Sequence, residues 1–574
     1  MTSRIFTCFI YTNPFLYGII SKVQKKLLFP FAENVGKEVP LLELTNFSLI
    51  YPNEETQQAH MTSKDAPDIS TYVLQELGML DILNLKNSEL SEFFTSDPEV
   101  IKYRMETFSD MLNNPELIKT LNSLLPILND IMELRRLEAD NGDTNDYLSS
   151  ITEIELYISC VDTLDDGLNA VRDNLRGTAF RTLCDRISEL AESEYYSELN
   201  ERLCELTQRV REIKSVTIGV NLDAQLRPRD AGVLSINPEA FRSGDVLEKI
   251  LRLNFKEDEY TCIANLVPFN KKQSENQKTA LSLAFTSAIN DVYKSSLRSW
   301  KKIVQQYVLE NTDFLLNLLP EIEFLIKSTR LMQSLKDRGC NLCVPEIAPA
   351  EDRAFRAVGL YNPAVALKVS DEIVTNDLIF DENAMIYVLS GPNRGGKSVI
   401  TCALGMAQAM LQLGMFIPAY SAVISPVDAI YTHFPTGADD TIDKGRLGEE
   451  CARLGEIFEK ITSQSLVLLD ESLSSTGSYE ASYIAAEVLA GFSCAGCRTL
   501  FSTHLHELAG FIDEINEKCR KSGGVPIDTL VAGIESGKRS FKIYRAKPDG
   551  KSYARDIANK YGLSYESIME KIKR

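Results

Sequence analysis

The sequence predicts a mixed fold in which a helical region with a small β insertion precedes an α/β domain. Two observations predict the α/β domain. A glycine-rich segment, GPNRGGKS, lies between two apolar runs, and a later apolar run ends in two acidic residues. A third observation predicts the helical region, because apolar residues recur there at spacings of three and four. At 574 residues, the chain can hold two or three domains.

The glycine-rich segment follows the apolar residues 386–389 and leads into an apolar stretch from Val399. This is the strand, loop and helix order of a P-loop, whose backbone N–H groups surround phosphates while its lysine reaches the β- and γ-phosphates. The serine after the lysine can bind Mg²⁺. The alternative is a glycine-rich turn that resembles a P-loop by chance. The predicted strand before it and the predicted helix after it favour the P-loop. The predicted nucleotide-binding residues are Gly391, Pro392, Asn393, Arg394, Gly395, Gly396, Lys397 and Ser398.

The second apolar run, residues 466–469, ends in Asp470 and Glu471. A continuous apolar run is typical of a parallel strand that is buried on both faces. An Asp at such a strand end suits a Mg²⁺ site, and the following Glu can orient and deprotonate an attacking water. Two solvated carboxylates at an ordinary strand end are the alternative. The position downstream of the P-loop favours Asp470 as a metal ligand and Glu471 as a catalytic base.

A third strand is predicted at residues 499–503, and it is followed by His504 and His506. A histidine at the end of a core strand can contact the γ-phosphate, so we predict a catalytic role for His504. A metal cluster at the two histidines is the alternative. The nearby acidic residues are not arranged at the spacing of known zinc sites.

Five motifs together resemble the MutS family of DNA mismatch-repair ATPases. All five lie in the predicted α/β domain, the last of them near the C-terminus; they are GPNRGGKS at 391–398, GMFIPA at 414–419, LLDESLSSTGSYEAS at 468–482, STHLHEL at 502–508 and GKSYA at 550–554. The resemblance is firm over about residues 355 to 574 and looser over the helical region before them.

The resemblance implies an ABC-type P-loop ATPase domain that uses ATP and Mg²⁺, at residues 346–574, with a C-terminal dimerisation segment. It also implies a helical core and lever domain at residues 70–345, with a β clamp-like insertion at about 216–270; residues 1–69 form an N-terminal segment of uncertain structure. Homodimers would form through the ATPase domains. Arg227 and Arg229, in a predicted hairpin of the insertion, could contact double-stranded or branched DNA, although a solvated turn explains them equally well.

Two departures from the family limit what the resemblance implies. The residues before the helical region are too few for the domain that reads mismatched bases, so we expect no base-specific mismatch reading in this chain. Gly445, Arg446, Leu447 and Gly448 stand where the family places a Ser-Thr pair that reaches the partner's nucleotide. ATP binding is therefore expected, whereas the rate of hydrolysis stays open.

Net charge leaves two classes of function open. The first is an ATPase of DNA mismatch repair, or of related repair and recombination, that binds DNA. The second is an ATP-switched protein scaffold without direct DNA binding. The formal net charge of −20 favours the scaffold, because nucleic-acid-binding surfaces are usually basic.

The cysteines and the N-terminus bear on the cell compartment. Two C-x-x-C pairs, Cys340/Cys343 and Cys494/Cys497, would allow a zinc site, but free thiols in a reducing cytoplasm are the favoured interpretation. The apolar stretch 5–20 is interrupted by polar residues and a proline, which makes it too short and too polar for a membrane span. We expect a cytoplasmic protein without a membrane partner.

Overall fold

A computed structural model of the chain describes most residues of the helical and α/β regions. The described residues are 47–62, 66–84, 90–141, 147–212, 214–222, 224–225, 228–237, 239–240, 242–243, 261–262, 312–392, 394–435, 445–505, 507–535, 538–547 and 565–572. Residues 1–46, Arg227, Asn393, His506 and the GKSYA segment lie outside them.

The N-terminal half of the described chain is mainly helical, as the apolar spacing predicts. Its helices and short strands are α1 (Glu54–Thr62), α2 (Thr71–Leu77), α3 (Met79–Leu83), α4 (Pro98–Asn113), α5 (Pro115–Asn141), α6 (Tyr147–Asn169), α7 (Thr178–Ala191), α8 (Glu194–Glu212), β1 (Ser215–Leu222), β2 (Pro228–Asn237), β3 (Arg242–Ser243), β4 (Thr261–Cys262) and α9 (Leu319–Asp337). Strands β1 and β2 pair antiparallel, where the sequence predicts a hairpin.

Local sequence explains where α4 begins and where α9 ends. The Asp97 carboxylate accepts a hydrogen bond from the Glu99 N–H at 2.8 Å, and Pro98 takes the first helical position of α4. Both features are typical of helix starts. Helix α9 ends at Asp337, and Gly339 two residues later adopts a φ of 74°, as expected of a glycine after a helix end.

The C-terminal part contains the larger sheets. Its strands and helices are β5 (Glu346–Ile347), β6 (Phe355–Leu360), α10 (Pro363–Lys368), β7 (Asn376–Phe380), β8 (Ile386–Ser390), α11 (Lys397–Gln412), β9 (Ser421–Ile424), β10 (Ile430–His433), α12 (Gly445–Lys460), β11 (Leu466–Asp470), α13 (Ser478–Ala495), β12 (Arg498–Ser502), α14 (Leu508–Arg520), β13 (Ile527–Glu535), β14 (Lys538–Arg545) and α15 (Tyr565–Ile572).

The main sheet has the strand order β10-β11-β12-β8-β13-β14. The first five strands are parallel, and β14 pairs antiparallel with β13. A second sheet has the order β5-β9-β6-β7. In the main sheet the carboxyl ends of β8, β11 and β12 therefore meet at one edge, which is where open α/β sheets bind ligands.

Alternate residues of the main sheet belong to two apolar cores. Leu466 and Leu468 of β11 face the core that contains α11, whereas Val467 and Leu469 face the core under α12, α13 and α14. This alternation follows from the two-residue period of a strand. The chain therefore forms a layer of helices on each face of the sheet.

The first core is continuous from the helical part into the sheet. It includes Phe108 of α4, Phe324 of α9, Met410 of α11 and Leu468 of β11. A Cβ placed on Gly405 of α11 would lie 2.5 Å from Leu77 and 2.7 Å from Leu468, so α11 is packed tightly between α2 and β11. Within the described residues no helix has the length and apolar character to cross a bilayer.

Candidate functional site

The glycine-rich loop connects β8 to α11 in a compact turn. Gly391 has a φ of 143°, and a Cβ there would lie 2.7 Å from the Cβ of Ala532 in β13. Gly396 has a φ of 91° and immediately precedes α11. Only glycine meets both demands without strain. The loop consequently presents the N-terminus of α11, with its free N–H groups, at the carboxyl edge of the sheet.

The side chain of Lys397 is buried behind this loop. Its Nζ donates hydrogen bonds to the carbonyl oxygens of Gly391 at 3.0 Å and Pro392 at 3.3 Å, and the residue is only 4% exposed. Burial lowers the pKa of the Lys397 ammonium, while the nearby carboxylates of Glu471 and Asp470 act in the opposite direction. The first residue of α11 thus carries a buried cation within the electrostatic influence of Asp470, which ends β11, and of Glu471, which follows it.

Those two acids occupy a turn that is fixed to the neighbouring strand β12. Asp470 is buried, and its carboxylate accepts a hydrogen bond from the Ser502 hydroxyl. The Glu471 N–H donates to the Ser502 carbonyl oxygen at 2.8 Å. Ser398, the predicted metal-binding hydroxyl, is exposed at the start of α11. We refer to residues 470–475 as the acidic turn.

Left-handed backbone conformations gather around this edge of the sheet. Among the described residues, six non-glycine residues have a positive φ, and three of them, Arg394, Glu471 and Leu473, lie in the glycine-rich loop or the acidic turn. A fourth, Phe541 of β14, lies beside Gly396, because a Cβ there would approach the Phe541 ring at 3.5 Å. Strained backbone of this kind concentrates at functional sites.

His504 lies just beyond the end of β12, between the strands that carry the loop and the acidic turn. The N–H of the preceding Thr503 donates to the Leu389 carbonyl oxygen at 2.9 Å, which ties this segment to β8. The structure therefore places His504 at the same edge as Lys397 and Asp470. Its partner in the alternative metal cluster, His506, is not among the described residues.

A histidine that sequence reasoning missed, His433, lies at the end of β10. It is 1% exposed, and its Nδ1 lies 2.7 Å from the Ser472 hydroxyl of the acidic turn. Its Nε2 lies 3.2 Å from the Glu450 carbonyl oxygen of α12. The only sequence signal is a polar residue that ends a short apolar strand, which is too common to be informative.

Phe541 was also missed by sequence reasoning. Its carbonyl oxygen accepts a hydrogen bond from the Asn376 side chain at 3.1 Å, and the same side chain accepts one from the Ile543 N–H at 2.7 Å. These bonds hold β14 against β7 and the Phe541 ring near the loop. No local pattern announces this contact, which depends on the pairing of β13 with β14.

The remaining predicted site residues are the two arginines of the hairpin and the cysteines of the two C-x-x-C pairs. The backbone of Arg229 belongs to β2, but Arg227 and the side chain of Arg229 lie outside the described residues. The thiols of Cys340, Cys343, Cys494 and Cys497 are all free. Within the described part of the chain, no group of three or more His, Cys, Asp or Glu side chains is arranged to hold a metal ion. Neither C-x-x-C pair therefore has a further ligand among these residues.

Two family models match the chain. MutS domain V matches residues 387–537, which contain the glycine-rich loop, the acidic turn and His504. The MutS2 N-terminal domain matches residues 96–338, which contain helices α4 to α9 and the hairpin. The two matches do not overlap, and together they cover most of the described residues.

Curated relatives named DNA mismatch repair protein MutS are similar over part of this chain. The protein from Prochlorococcus marinus is 34% identical over 176 residues, 29% of this chain and 19% of the relative. That from Chloroflexus aurantiacus is 32% identical over 225 residues, 38% and 22% of the two chains. That from Lactobacillus delbrueckii subsp. bulgaricus is 30% identical over 233 residues, 40% and 26% of the two chains.

The matched segment thus spans about a fifth to a quarter of the length of these relatives. The family models match residues 96–338 and 387–537, a larger share of the chain than any of these relatives matches. The glycine-rich loop, the acidic turn and helices α4 to α9 all fall within MutS-type models, and the chain belongs to the MutS family.

Proposed function

We propose that this chain binds ATP with Mg²⁺ at the glycine-rich loop and hydrolyses the ATP, as an ABC-type P-loop ATPase. The observation that carries the proposal is the position of Lys397. Its buried ammonium lies at a helix N-terminus, donates to the loop carbonyl oxygen of Gly391, and is near enough to Asp470 and Glu471 to interact with their charges. A helix N-terminus with a lysine suits phosphate groups, and a carboxylate with a hydroxyl suits Mg²⁺.

Each residue has a distinct role in this proposal. The N–H groups at the start of α11 and the Lys397 ammonium bind the phosphates. Ser398 and Asp470 would hold Mg²⁺, which neutralises charge on the phosphates when bound. Glu471 orients the attacking water and accepts its proton, while His504 contacts the γ-phosphate. Asn393 belongs to the proposed loop by sequence alone.

We further propose that the protein acts on double-stranded or branched DNA, in mismatch repair or in related repair and recombination, without base-specific mismatch reading. Family membership and the hairpin formed by β1 and β2 support the DNA-binding proposal. Arg227 and Arg229 are the proposed contacts, and they would bind phosphate oxygens rather than bases.

The second candidate function is an ATP-switched scaffold without DNA contact. The net charge of −20 favours this function, because the excess of acidic side chains repels the phosphate backbone of DNA. Both candidates share the ATP site, so they differ only in whether DNA is bound.

ATP turnover by wild type, Glu471→Gln and the control Glu459→Gln tests the proposed hydrolysis. Loss of a positioned base should slow turnover by a hundredfold or more, on the order of the 10²–10⁴ that general bases contribute. Glu459 is exposed on α12, so its variant should match wild type. Unchanged turnover in Glu471→Gln would contradict the proposed role of this carboxylate.

Fluorescence anisotropy across a salt series, with and without ATP, separates the two candidate functions. If the protein recognises the shape of DNA, its affinity should be similar for matched and mismatched duplexes. The affinity should also fall steeply with salt, because cationic side chains that bind the phosphates displace the counterions of the DNA. Replacing Arg227 and Arg229 with alanine should reduce that salt dependence. Absence of DNA binding at low salt would exclude the DNA-binding function and favour the scaffold. A strong preference for mismatched duplexes would contradict the expectation that this chain does not read mismatched bases.

A further inference from the structure

We propose that His433 is a positioning residue for Glu471, which it holds in place through Ser472. The inference rests on the proposed ATP hydrolysis, because that proposal assigns the catalytic base to Glu471. His433 itself does not touch nucleotide in this proposal. It acts on the backbone of the acidic turn that carries the carboxylate.

His433 is joined to the acidic turn by two hydrogen bonds. In the parallel pairing of β10 with β11, His433 lies opposite Leu469, which directly precedes Asp470 and Glu471. The Ser472 hydroxyl donates to the carbonyl oxygen of His433 at 2.9 Å, and the same hydroxyl lies 2.7 Å from His433 Nδ1. Ser472 is therefore held by both the backbone and the side chain of one residue.

The bond between Nδ1 and Ser472 is compatible with either neutral form of the ring. Burial and the nearby Arg453 guanidinium lower the pKa of His433 to about 4, so the ring is uncharged at neutral pH. With the proton on Nδ1, the ring donates to the hydroxyl. With the proton on Nε2, the ring donates to the Glu450 carbonyl oxygen, and the single Ser472 hydroxyl proton can bond either Nδ1 or the His433 carbonyl oxygen; both Ser472 bonds are made together when the proton is on Nδ1.

The acidic turn needs such an anchor because its backbone is strained. Glu471 has a φ of 47° and Leu473 a φ of 64°, and a left-handed conformation strains a non-glycine residue because its Cβ comes too close to the following carbonyl oxygen. Ser472 lies between them. Without a bond to Ser472, this segment can relax, and the Glu471 carboxylate then moves away from its position in the site.

Helix α12 supports the same turn from a second direction. The Glu450 carboxylate accepts a hydrogen bond from the Ser475 hydroxyl at 3.1 Å, while its carbonyl oxygen faces His433 Nε2. His433 thus lies between the acidic turn and α12. Its two ring nitrogens can be tested separately, because glutamine places an amide near Nε2 and asparagine places one near Nδ1.

Steady-state ATP hydrolysis and nucleotide affinity of His433→Gln, His433→Asn and Ser472→Ala test the proposal. We expect kcat to fall about tenfold in His433→Gln, the cost of one lost hydrogen bond in the positioning of a catalytic group, and by at least as much in Ser472→Ala, which loses both hydrogen bonds to His433. The dissociation constant for ATP should not change. His433→Asn should restore most of the turnover, because its amide can still bond Ser472.

Two comparisons separate positioning from a loss of stability. The control His60→Gln alters another histidine whose Nε2 meets a backbone carbonyl oxygen, that of Glu92 at 2.9 Å, and it should keep wild-type kcat. In a Glu471→Gln background, adding His433→Gln should cause no further loss, because both changes act through the same carboxylate.

Wild-type kcat in Ser472→Ala or in folded His433→Gln would overturn the positioning role, as would equal losses in His60→Gln or additive losses in the double variant. Full turnover in Glu471→Gln alone would instead overturn the proposed hydrolysis, and this inference with it. That outcome is visible without any His433 variant, so the two failures are distinguishable.

Discussion

The side chain of Arg104 packs directly against Gly414, the glycine that follows α11. A Cβ placed on Gly414 would lie 2.3 Å from the Arg104 Cβ, and the φ of Gly414 is 75°. Arg104 is fully buried and donates hydrogen bonds to the carbonyl oxygens of Ile50, at 3.0 Å, and Phe93. The helix that begins at Lys397 is thus fixed at its other end to the helical part.

Gly414→Ala should therefore destabilise the protein. The left-handed backbone costs a non-glycine residue about 1–3 kcal/mol, and displacement of Arg104 adds to that cost. The control Gly455→Ala, in α12 with no atom within 4 Å of the added Cβ, should instead stabilise by about 0.5–1 kcal/mol. Thermal melting of both variants measures the difference, and equal Tm values would contradict the packing at Gly414.

Lys397→Ala should weaken ATP binding by about tenfold to a hundredfold, because a hydrogen bond to a charged group contributes about 1.5–3 kcal/mol. Titration of a fluorescent ATP analogue measures the dissociation constant. Lys521→Ala is a suitable control, since the Lys521 ammonium lies in an exposed ion pair with Glu517, and this variant should bind ATP like wild type. Unaltered affinity in Lys397→Ala would mean that the phosphates bind elsewhere.

His504→Ala should lower kcat more than ATP affinity, because the proposed contact with the γ-phosphate strengthens as charge develops during hydrolysis. Separate measurements of kcat and of the dissociation constant decide it. Losses of equal size in both would indicate a binding role instead. The same pair of measurements on Glu471→Gln provides the reference for a purely catalytic loss.

ATP should promote a homodimer through the α/β parts, because the resemblance to the MutS family implies a site that a neighbouring subunit completes. If ATP binds the dimer and not the monomer, it shifts the equilibrium between monomer and dimer by mass action. Light scattering of Glu471→Gln with and without ATP measures the mass in the ATP-bound state. A protein that stays monomeric at micromolar concentration in both conditions would contradict a shared site, and the absence of hydroxyls at 445–448 makes this test informative.

The stability of the helical part should depend on pH through Glu321 of α9. This buried carboxylate accepts hydrogen bonds from the Ser48 hydroxyl at 2.8 Å and the Leu49 N–H at 2.7 Å. Burial raises its pKa to about 7, although these bonds and the nearby Arg104 oppose the rise. The folded state therefore binds the proton more tightly than the unfolded state.

The resulting stabilisation is fully present below the unfolded pKa of 4.5 and is lost as the pH rises through about 7. Relative to Glu321→Gln, the wild type should lose up to about 3 kcal/mol of unfolding free energy between pH 4.5 and 8. Melting curves of both proteins across this range test the prediction. Parallel curves would show that Glu321 does not titrate there.

The strands of the site could be predicted to within about one residue. The predicted run 466–469 is part of β11, Leu466–Asp470, and the predicted strand 499–503 corresponds to β12, Arg498–Ser502. Continuous apolar runs identify such strands because both of their faces are buried. The positions of Lys397, Asp470 and Glu471 at one edge follow from the same strands.

The contacts of His433 and Phe541 could not be predicted in this way. The contact between His433 and Ser472 requires β10 to pair with β11, and its second contact requires α12 to pack on them. The approach of Phe541 to Gly396 requires β13 to lie beside β8. Such contacts arise between elements that are distant in sequence, so no local pattern carries them.

The apolar core that runs from α4 and α9 through α11 to β11 has a consequence for how the molecule unfolds. The expected boundary near residue 345 divides the chain, but Phe108, Phe324, Met410 and Leu468 share one core across it. A fragment that starts at residue 346 would expose the α11 side of that core to water. Calorimetry should accordingly record one cooperative unfolding transition for both parts. Loss of packing in the helical part would then also unfold the proposed ATP site.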